Sequence, residues 1–206
     1  PLTLSNLSLK AWEKVFSRAS IISSTTNSFL TATAAAFFGI LISCVMAYLL
    51  QRTNVKGKRI PDFLITLGSG TPSVTIALAL IISMSGKFGI NIYNTLTIMV
   101  VAYMIKYMLM GMRTVVSAMS QVHPSLEEAA QISGANWLRM LKDVTLPLIG
   151  ASIVAGIFLI FMPSFYELTM STLLYSSNTK TIGYELYIYQ TYHSQQVASA
   201  LATAIL

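Results

Sequence analysis

Long apolar blocks separated by short polar stretches dominate this chain, and the block lengths set the expected elements. Residues 28–50, 62–83, 95–112 and 148–170 are each close to the ~20 residues a helix needs to cross a bilayer core. With their flanks they predict spans at about 26–50, 62–83, 95–112 and 148–170. A last apolar run, 197–206, stops after ten residues and is read as a partial span. Residues 1–24 are mixed, with Trp12 and Phe16 four apart and Lys10, Lys14 and Arg18 four apart on another face. That pattern fits an amphipathic helix at the membrane surface, or a connecting loop.

Within the blocks, small and helix-breaking residues mark particular positions. The first span carries Ala35-x-x-x-Gly39 and Ser43-x-x-x-Ala47, a spacing that lets helix backbones approach closely, so this span is expected inside a bundle. Gly68, Gly70 and Pro72 in the second span invite a kink or a break, although a tolerated transmembrane proline fits equally well. Pro163 raises the same question in the block 148–170. The expected fold is an all-α, polytopic transmembrane helical bundle. It forms a single domain over 1–206, and because the sequence starts at Pro1 and stops inside an apolar run, truncation at both ends is expected.

Composition and charge sharpen this picture. The chain is 54% hydrophobic and only 10% charged, well below the ~25% charge of soluble domains. Its net charge of +6 does not point to nucleic acid, because the basic residues cluster at the ends of apolar blocks with no aromatic platform among them. Arg52, Lys56, Lys58 and Arg59 crowd into one short stretch, which the positive-inside rule places in the cytoplasm. Alternation then puts 113–147, with Arg113, Arg139 and Lys142, on the same side and 172–196 outside. Lys10, Lys14, Arg18, Lys87 and Lys180 fall on the outer side, so the charge bias is modest.

Candidate chemistry is sparse. The single Cys44 can form no internal disulfide and reads as a small packing residue. His123 and His193 are expected on opposite sides of the membrane. The methionines Met99, Met104, Met108, Met110, Met112 and Met119 cover several faces of one helix, as packing residues do, rather than one face as a Cu(I) site would need. Gly68-Ser-Gly-Thr-Pro-Ser lacks the lysine of a phosphate-binding loop. Lys106 and Glu167 are the charges well inside apolar blocks, where ionisable residues are functional candidates. Helix rise puts Lys106 ~10 Å and Glu167 ~28 Å from the inner end, so a direct pair would have to bridge ~18 Å. Separate environments are therefore expected: Lys106 snorkelling toward the cytoplasmic interface, and Glu167 near the outer mouth, bonded to a neighbouring helix or lining a pathway.

The polar segment 123–147 is the most informative stretch. Ser125 is a good N-cap, and Glu128 three residues on would complete a capping box. Leu126, Ala129, Ala130 and Ser133 form a small, weakly apolar stripe, while Glu127, Glu128 and Gln131 are expected to face water. Gly134 fits the left-handed position that ends a helix, Asn136 can cap a second short helix, and Pro147 marks the start of the next span. An Ala-Ala face suits a groove on another protein better than lipid headgroups.

The pattern Glu128-Ala129-Ala130, Gly134, then Val144, Leu146 and Pro147 resembles the EAA loop of ATP-binding-cassette importer permeases, with valine in place of the usual isoleucine. The resemblance implies a permease subunit of a binding-protein-dependent importer, multi-pass in the bacterial cytoplasmic (inner) membrane. It implies that Glu127, Glu128, Ala129, Ala130, Gly134, Leu146 and Pro147 form a coupling loop for a cytoplasmic ATPase dimer. ATP and Mg would be bound by that partner, leaving this chain with no catalytic residue, cofactor or metal. A second permease half or subunit, the lipid bilayer and an extracytoplasmic substrate-binding protein are the other implied partners.

The stretches Ala102-Tyr103-Met104-Ile105-Lys106-Tyr107, 163–174 and Gly183-x-x-Leu-Tyr are similar to permeases of the ferric-iron group, which shares them with thiamine- and phosphonate-type relatives. Ferric iron is the first expectation for the solute, and thiamine, phosphonate or another small anion is the alternative. An ion channel or secondary transporter working without an ATPase is the reading from another class.

Overall fold

A computed structural model describes residues 9–87, 89–192 and 195–205. His193 lies outside the described residues, as do the ends of the chain. The described residues are helical almost throughout, with one isolated antiparallel bridge between Ser85 and Asn91. The helices are α1 (Lys10–Ser17), α2 (Ala19–Arg52), α3 (Arg59–Gly70), α4 (Ser73–Met84), α5 (Leu96–Gln121), α6 (Pro124–Ile132) and α7 (Trp137–Met140). A π-helical turn (Leu141–Thr145) then leads into α8 (Leu146–Phe165), followed by α9 (Thr169–Leu174), α10 (Ile182–Tyr192) and α11 (Gln195–Ile205).

Ala19–Arg52, Leu96–Gln121 and Trp137–Phe165 are long and apolar enough to cross a membrane, and α3 with α4 makes a broken fourth candidate. Each continuous helix is longer than its predicted span, although the last ends at Phe165 rather than at 170. The first begins at Ala19 rather than near 26, because its hydroxyl-rich entry remains helical by bonding to itself. Thr25 and Thr26 donate to the carbonyls of Ile21 and Ile22, at 2.8 and 3.0 Å, which satisfies each hydroxyl one turn back. Thr114 does the same to Met110 in α5, which runs on to Gln121 instead of stopping near 112. The second predicted span is broken at Thr71 and Pro72, whereas Pro163 is accommodated inside α8. The external loop expected over 172–196 contains α10, which packs on α9 and α11.

The chain divides into two compact units. One comprises the residues up to Thr31, Ser73–Met99 and the chain from Phe165 onward. Its apolar core gathers Val15, Ile21, Ile182, Tyr189, Val197 and Leu201, with Trp12 partly buried against them. Residues 10–17 are therefore helical, and α1 packs on α11 rather than serving as a loop. A polar seam runs along the first part of α2. Ser28 Oγ accepts the Ile182 N–H at 2.8 Å, Asn27 Nδ2 donates to the Lys180 carbonyl at 2.9 Å, and the Ser24 hydroxyl meets Glu185 Oε1 at 3.4 Å.

The other unit comprises Ala32–Pro72 and Val100–Ser164. Ala35, Gly39, Ser43 and Ala47, the small stripe read from the sequence, are all buried. Where α2, α5 and α8 meet, glycine is required by space. A Cβ on Gly111 would lie 2.7 Å from the Ile160 side chain and 3.2 Å from the Gly156 carbonyl oxygen, and one on Gly156 would lie 2.7 Å from Ile40. Met112 and Met119 are buried in this unit, filling gaps as their flexible thioethers allow. Gly111→Val is therefore expected to destabilise the detergent-solubilised protein by roughly 1–3 kcal/mol, the overpacking range. Its thermal unfolding midpoint relative to wild type measures this, and an unchanged midpoint would refute the tight crossing.

Candidate functional site

The segment 123–147 is built from its caps inward. His123 is the N-cap of α6: its Nδ1 accepts the Ser125 N–H at 3.2 Å, and Pro124 takes the first helical position. The N-cap thus falls two residues before Ser125, the cap of the predicted box. A proline with its φ already helical is well placed just after His123, and it has no N–H to leave unpaired.

The end of α6 matches its prediction. Gly134 sits at φ +90°, the Ala135 N–H donates to the Ala130 carbonyl at 3.0 Å, and the Gly134 N–H donates to Gln131 at 2.9 Å. These are the paired bonds of a Schellman turn, which a residue with a Cβ would strain. Asn136 then caps α7 by accepting the Arg139 N–H at 2.8 Å.

The second short helix does not stop before the next span, as expected, but runs into it through the π turn. The Leu146 N–H reaches the Leu141 carbonyl five residues back. Pro147 has no N–H and its ring crowds the carbonyl of the preceding turn, and the wider π turn absorbs that mismatch without ending the helix. Pro147 is the second residue of α8, at its start as expected, and the π turn makes that start continuous with the short helix from Trp137.

Glu127 overturns its expectation most clearly. Instead of facing water it is buried, and its Oε2 pairs with Arg52 Nε at 3.0 Å, with both side chains under a tenth exposed. Thr145 donates to the other oxygen, Oε1, at 3.0 Å. Arg52 also donates to the carbonyls of Val122 and Met119, at 2.7 and 3.3 Å, closing the C-terminal end of α5. The guanidinium therefore joins α2, α5 and α6, and the Glu127 carboxylate adds the π turn through Thr145.

The outward face of the loop is different in kind. Glu128, Ala129, Gly134, Leu146 and Pro147 are exposed and Ala130 is half-buried. Leu126, Leu138 and Ile132 are 47, 69 and 87% exposed. Beside them Trp137 donates to the Tyr48 hydroxyl at 2.8 Å and stacks edge-on against its ring. The two aromatics line an apolar cavity of about 410 Å³ with Cys44, Met119, Leu141 and Ile149.

Lys106 does not snorkel toward an interface. Its ammonium donates to the carbonyls of Thr71 and Ser69, at 2.7 and 3.1 Å, at the break before Pro72. Helix α3 stops there, so its last carbonyls lose their intrahelical donors and the lysine replaces them. Lys58 does the same for α2, donating to the Leu50 and Thr53 carbonyls at 2.7 and 2.6 Å.

Glu167, in the first unit, is buried and accepts the Met170 N–H at 3.1 Å, so it pairs a free N–H in the first turn of α9 from just before its N-cap, Leu168. Its carbonyl is approached so closely that a Cβ on Gly183 would lie 2.3 Å from it. Lys106 and Glu167 thus bond to different groups, as expected, although α5 runs on to Gln121 and so removes the inner end from which the depth of Lys106 is counted. The sequence reading missed Arg52 as a binding partner, Thr145, and the buried Glu185. Arg52 ends an apolar span, a position that was read only as an orientation signal. Thr145 carries no signal of its own.

Residues 39–206 match the family described as the binding-protein-dependent transport system inner membrane component. An Fe(3+)-transport system permease protein of Haemophilus influenzae is 26% identical over 162 residues, which is 79% of this chain and 32% of that protein. A sulfate transport system permease protein of Salmonella typhimurium is 27% identical over 175 residues, 81% of this chain and 63% of the relative. The chain thus spans between about a third and just under two thirds of these relatives. The crystal structure of a bacterial transporter importing the acidic polysaccharide alginate superposes with a TM-score of 0.80 at 16% identity, covering 98% of this chain and 79% of that one. A methionine transporter in inward-facing conformations superposes at 0.71 and 16% identity, over 89% of this chain and 87% of its own. The fold is that of these transporters' membrane-spanning chains.

Lys106→Met keeps the stem and removes the charge, leaving the Ser69 and Thr71 carbonyls without their donor. Hydrogen bonds from a charged group contribute roughly 1.5–3 kcal/mol, so a loss of that order is expected in thermal unfolding of the reconstituted protein. No change would mean that the break is satisfied in another way.

Proposed function

The chain belongs to the family of binding-protein-dependent transport system inner membrane components, and on that premise we propose that it is the membrane-spanning subunit of an ATP-driven importer. In this reading it lies in the bacterial cytoplasmic membrane and pairs with a second permease half or subunit. It receives solute from an extracytoplasmic binding protein and is driven by ATPase subunits that carry the ATP and Mg. The observation that carries the proposal is the outward face of 123–147. Ile132 at 87% and Leu138 at 69% exposed, on short helices fixed at both ends, are apolar anchors aimed away from their own fold. Such anchors on a rigid helix are how a helix docks in a partner's groove. Ala129 and Ala130 on α6 add small side chains that allow close approach, and Gly134 sets the turn between α6 and α7.

For the solute we take ferric iron first. It is supported by the stretches 102–107 and 163–174 and by the likeness to the Haemophilus influenzae permease. The sulfate permease at comparable identity favours a small anion as the second reading.

The docking surface is tested by Ile132→Glu in the full-length permease, which is expected to weaken co-purification of the ATPase by about tenfold or more, as loss of a buried anchor does. Wild-type recovery of the ATPase would remove the outward face from the interface. The solute is tested by ATP hydrolysis of the complex in liposomes with the binding protein either empty or Fe(III)-loaded. Stimulation by the loaded form alone is expected. Hydrolysis indifferent to iron would discard it and send the assay to sulfate.

A further inference from the structure

We propose that the cluster of Arg52, Glu127 and Thr145 is the link that carries movement of the docking helix α6 into the membrane helices, with Arg52 as its positioning residue. This rests on the reading of 123–147 as the ATPase-docking loop, but it concerns the opposite, buried face of that loop. A partner pressing on Leu126 and Ile132 touches α6 from outside. Behind α6, Glu127 faces inward against Arg52 at 3.0 Å and Thr145 at 3.0 Å. Displacement of α6 therefore loads two contacts at once. Through Arg52 it reaches the end of α2 and, by the bonds to the Val122 and Met119 carbonyls, the end of α5. Through Thr145 it reaches the π turn that opens into α8.

Stability alone does not explain why ions occupy this position. Apolar side chains of similar volume hold buried helices as firmly, because an ion pair must first be stripped of water. A guanidinium with a carboxylate and two carbonyls as acceptors, and a carboxylate with a second donor on its other oxygen, adds direction. Each bond fixes the register of one element against another, so the four elements move together rather than sliding past one another. The π turn is suited to receive such a displacement, because its widened hydrogen-bond pattern is an irregularity of the kind found at functional sites within helices.

Hydrogen exchange of the full-length permease, co-purified with its ATPase in nanodiscs, tests this with and without ATP, Mg and vanadate. In wild type, nucleotide is expected to change exchange in 124–132 and in 50–58 together. Glu127→Gln preserves shape and an acceptor for Thr145 but removes the charge. In that variant the response of 124–132 should persist, while the response of 50–58 falls by about threefold or more, as for segments that open independently. A merely structural role would raise exchange equally with and without nucleotide and leave the nucleotide difference intact, and that result overturns the proposal. So does a wild-type response confined to 124–132. A wild-type protein in which neither segment responds, or which binds no ATPase, instead rejects the docking reading itself. Should Glu127→Gln fail to assemble, Thr145→Val, which removes one hydroxyl, is read in its place against 141–150, with the same two outcomes.

Discussion

A backbone carbonyl released at a helix end and shielded from water must be given a donor by the protein. In this chain basic side chains meet that demand. Lys106 serves α3 at the break before Pro72, Lys58 serves the end of α2, and Arg52 serves the end of α5. Each also draws on the attraction between a cation and the negative end of a helix dipole. The broken second span, the sharp turn after α2 and the docking loop after α5 all start from carbonyls that one of these cations holds.

That use of charge gives Arg52 and Lys58 a second role beside orientation. Both belong to the basic stretch after the first span, yet their charged groups are bonded to carbonyls of the chain itself. Arg52 carries the larger burden, because it also neutralises the buried Glu127. Removing either partner of such a pair leaves an uncompensated charge, which typically costs about 3–5 kcal/mol. The loop is therefore anchored by one pair whose geometry is specified from α2, α5, α6 and the π turn.

Elsewhere close approach replaces charge. Lipid tails give apolar helices no reason to prefer one another, so van der Waals contact between small residues decides how they pack. The crossing at Gly111 and Gly156 and the buried stripe Ala35, Gly39, Ser43 and Ala47 are its expression here. Hydroxyls on α2 and α5 bond to their own preceding turn, which allows polar-looking helix ends to extend past the apolar blocks.

What the sequence determined was local or cumulative. The approximate positions of the long apolar helices follow from block length, the small stripe from a four-residue period, and the end of α6 from one glycine whose φ of +90° no neighbour has to enforce. The match of 123–147 to a known loop was legible for the same reason, since its spacing is internal to the segment. The tertiary structure decided whatever depends on a partner far along the chain. Glu127 reads as a solvent-facing residue until Arg52, 75 residues earlier, is seen to reach it. Lys106 reads as snorkelling until the break 35 residues earlier exposes carbonyls to it. Helix α10 escaped notice because Glu185 interrupts its apolar face, and only burial against α2 shows that the carboxylate belongs there. Sequence patterns record how much apolar surface must be hidden. Which polar group satisfies which depends on the directions and distances that only packing fixes.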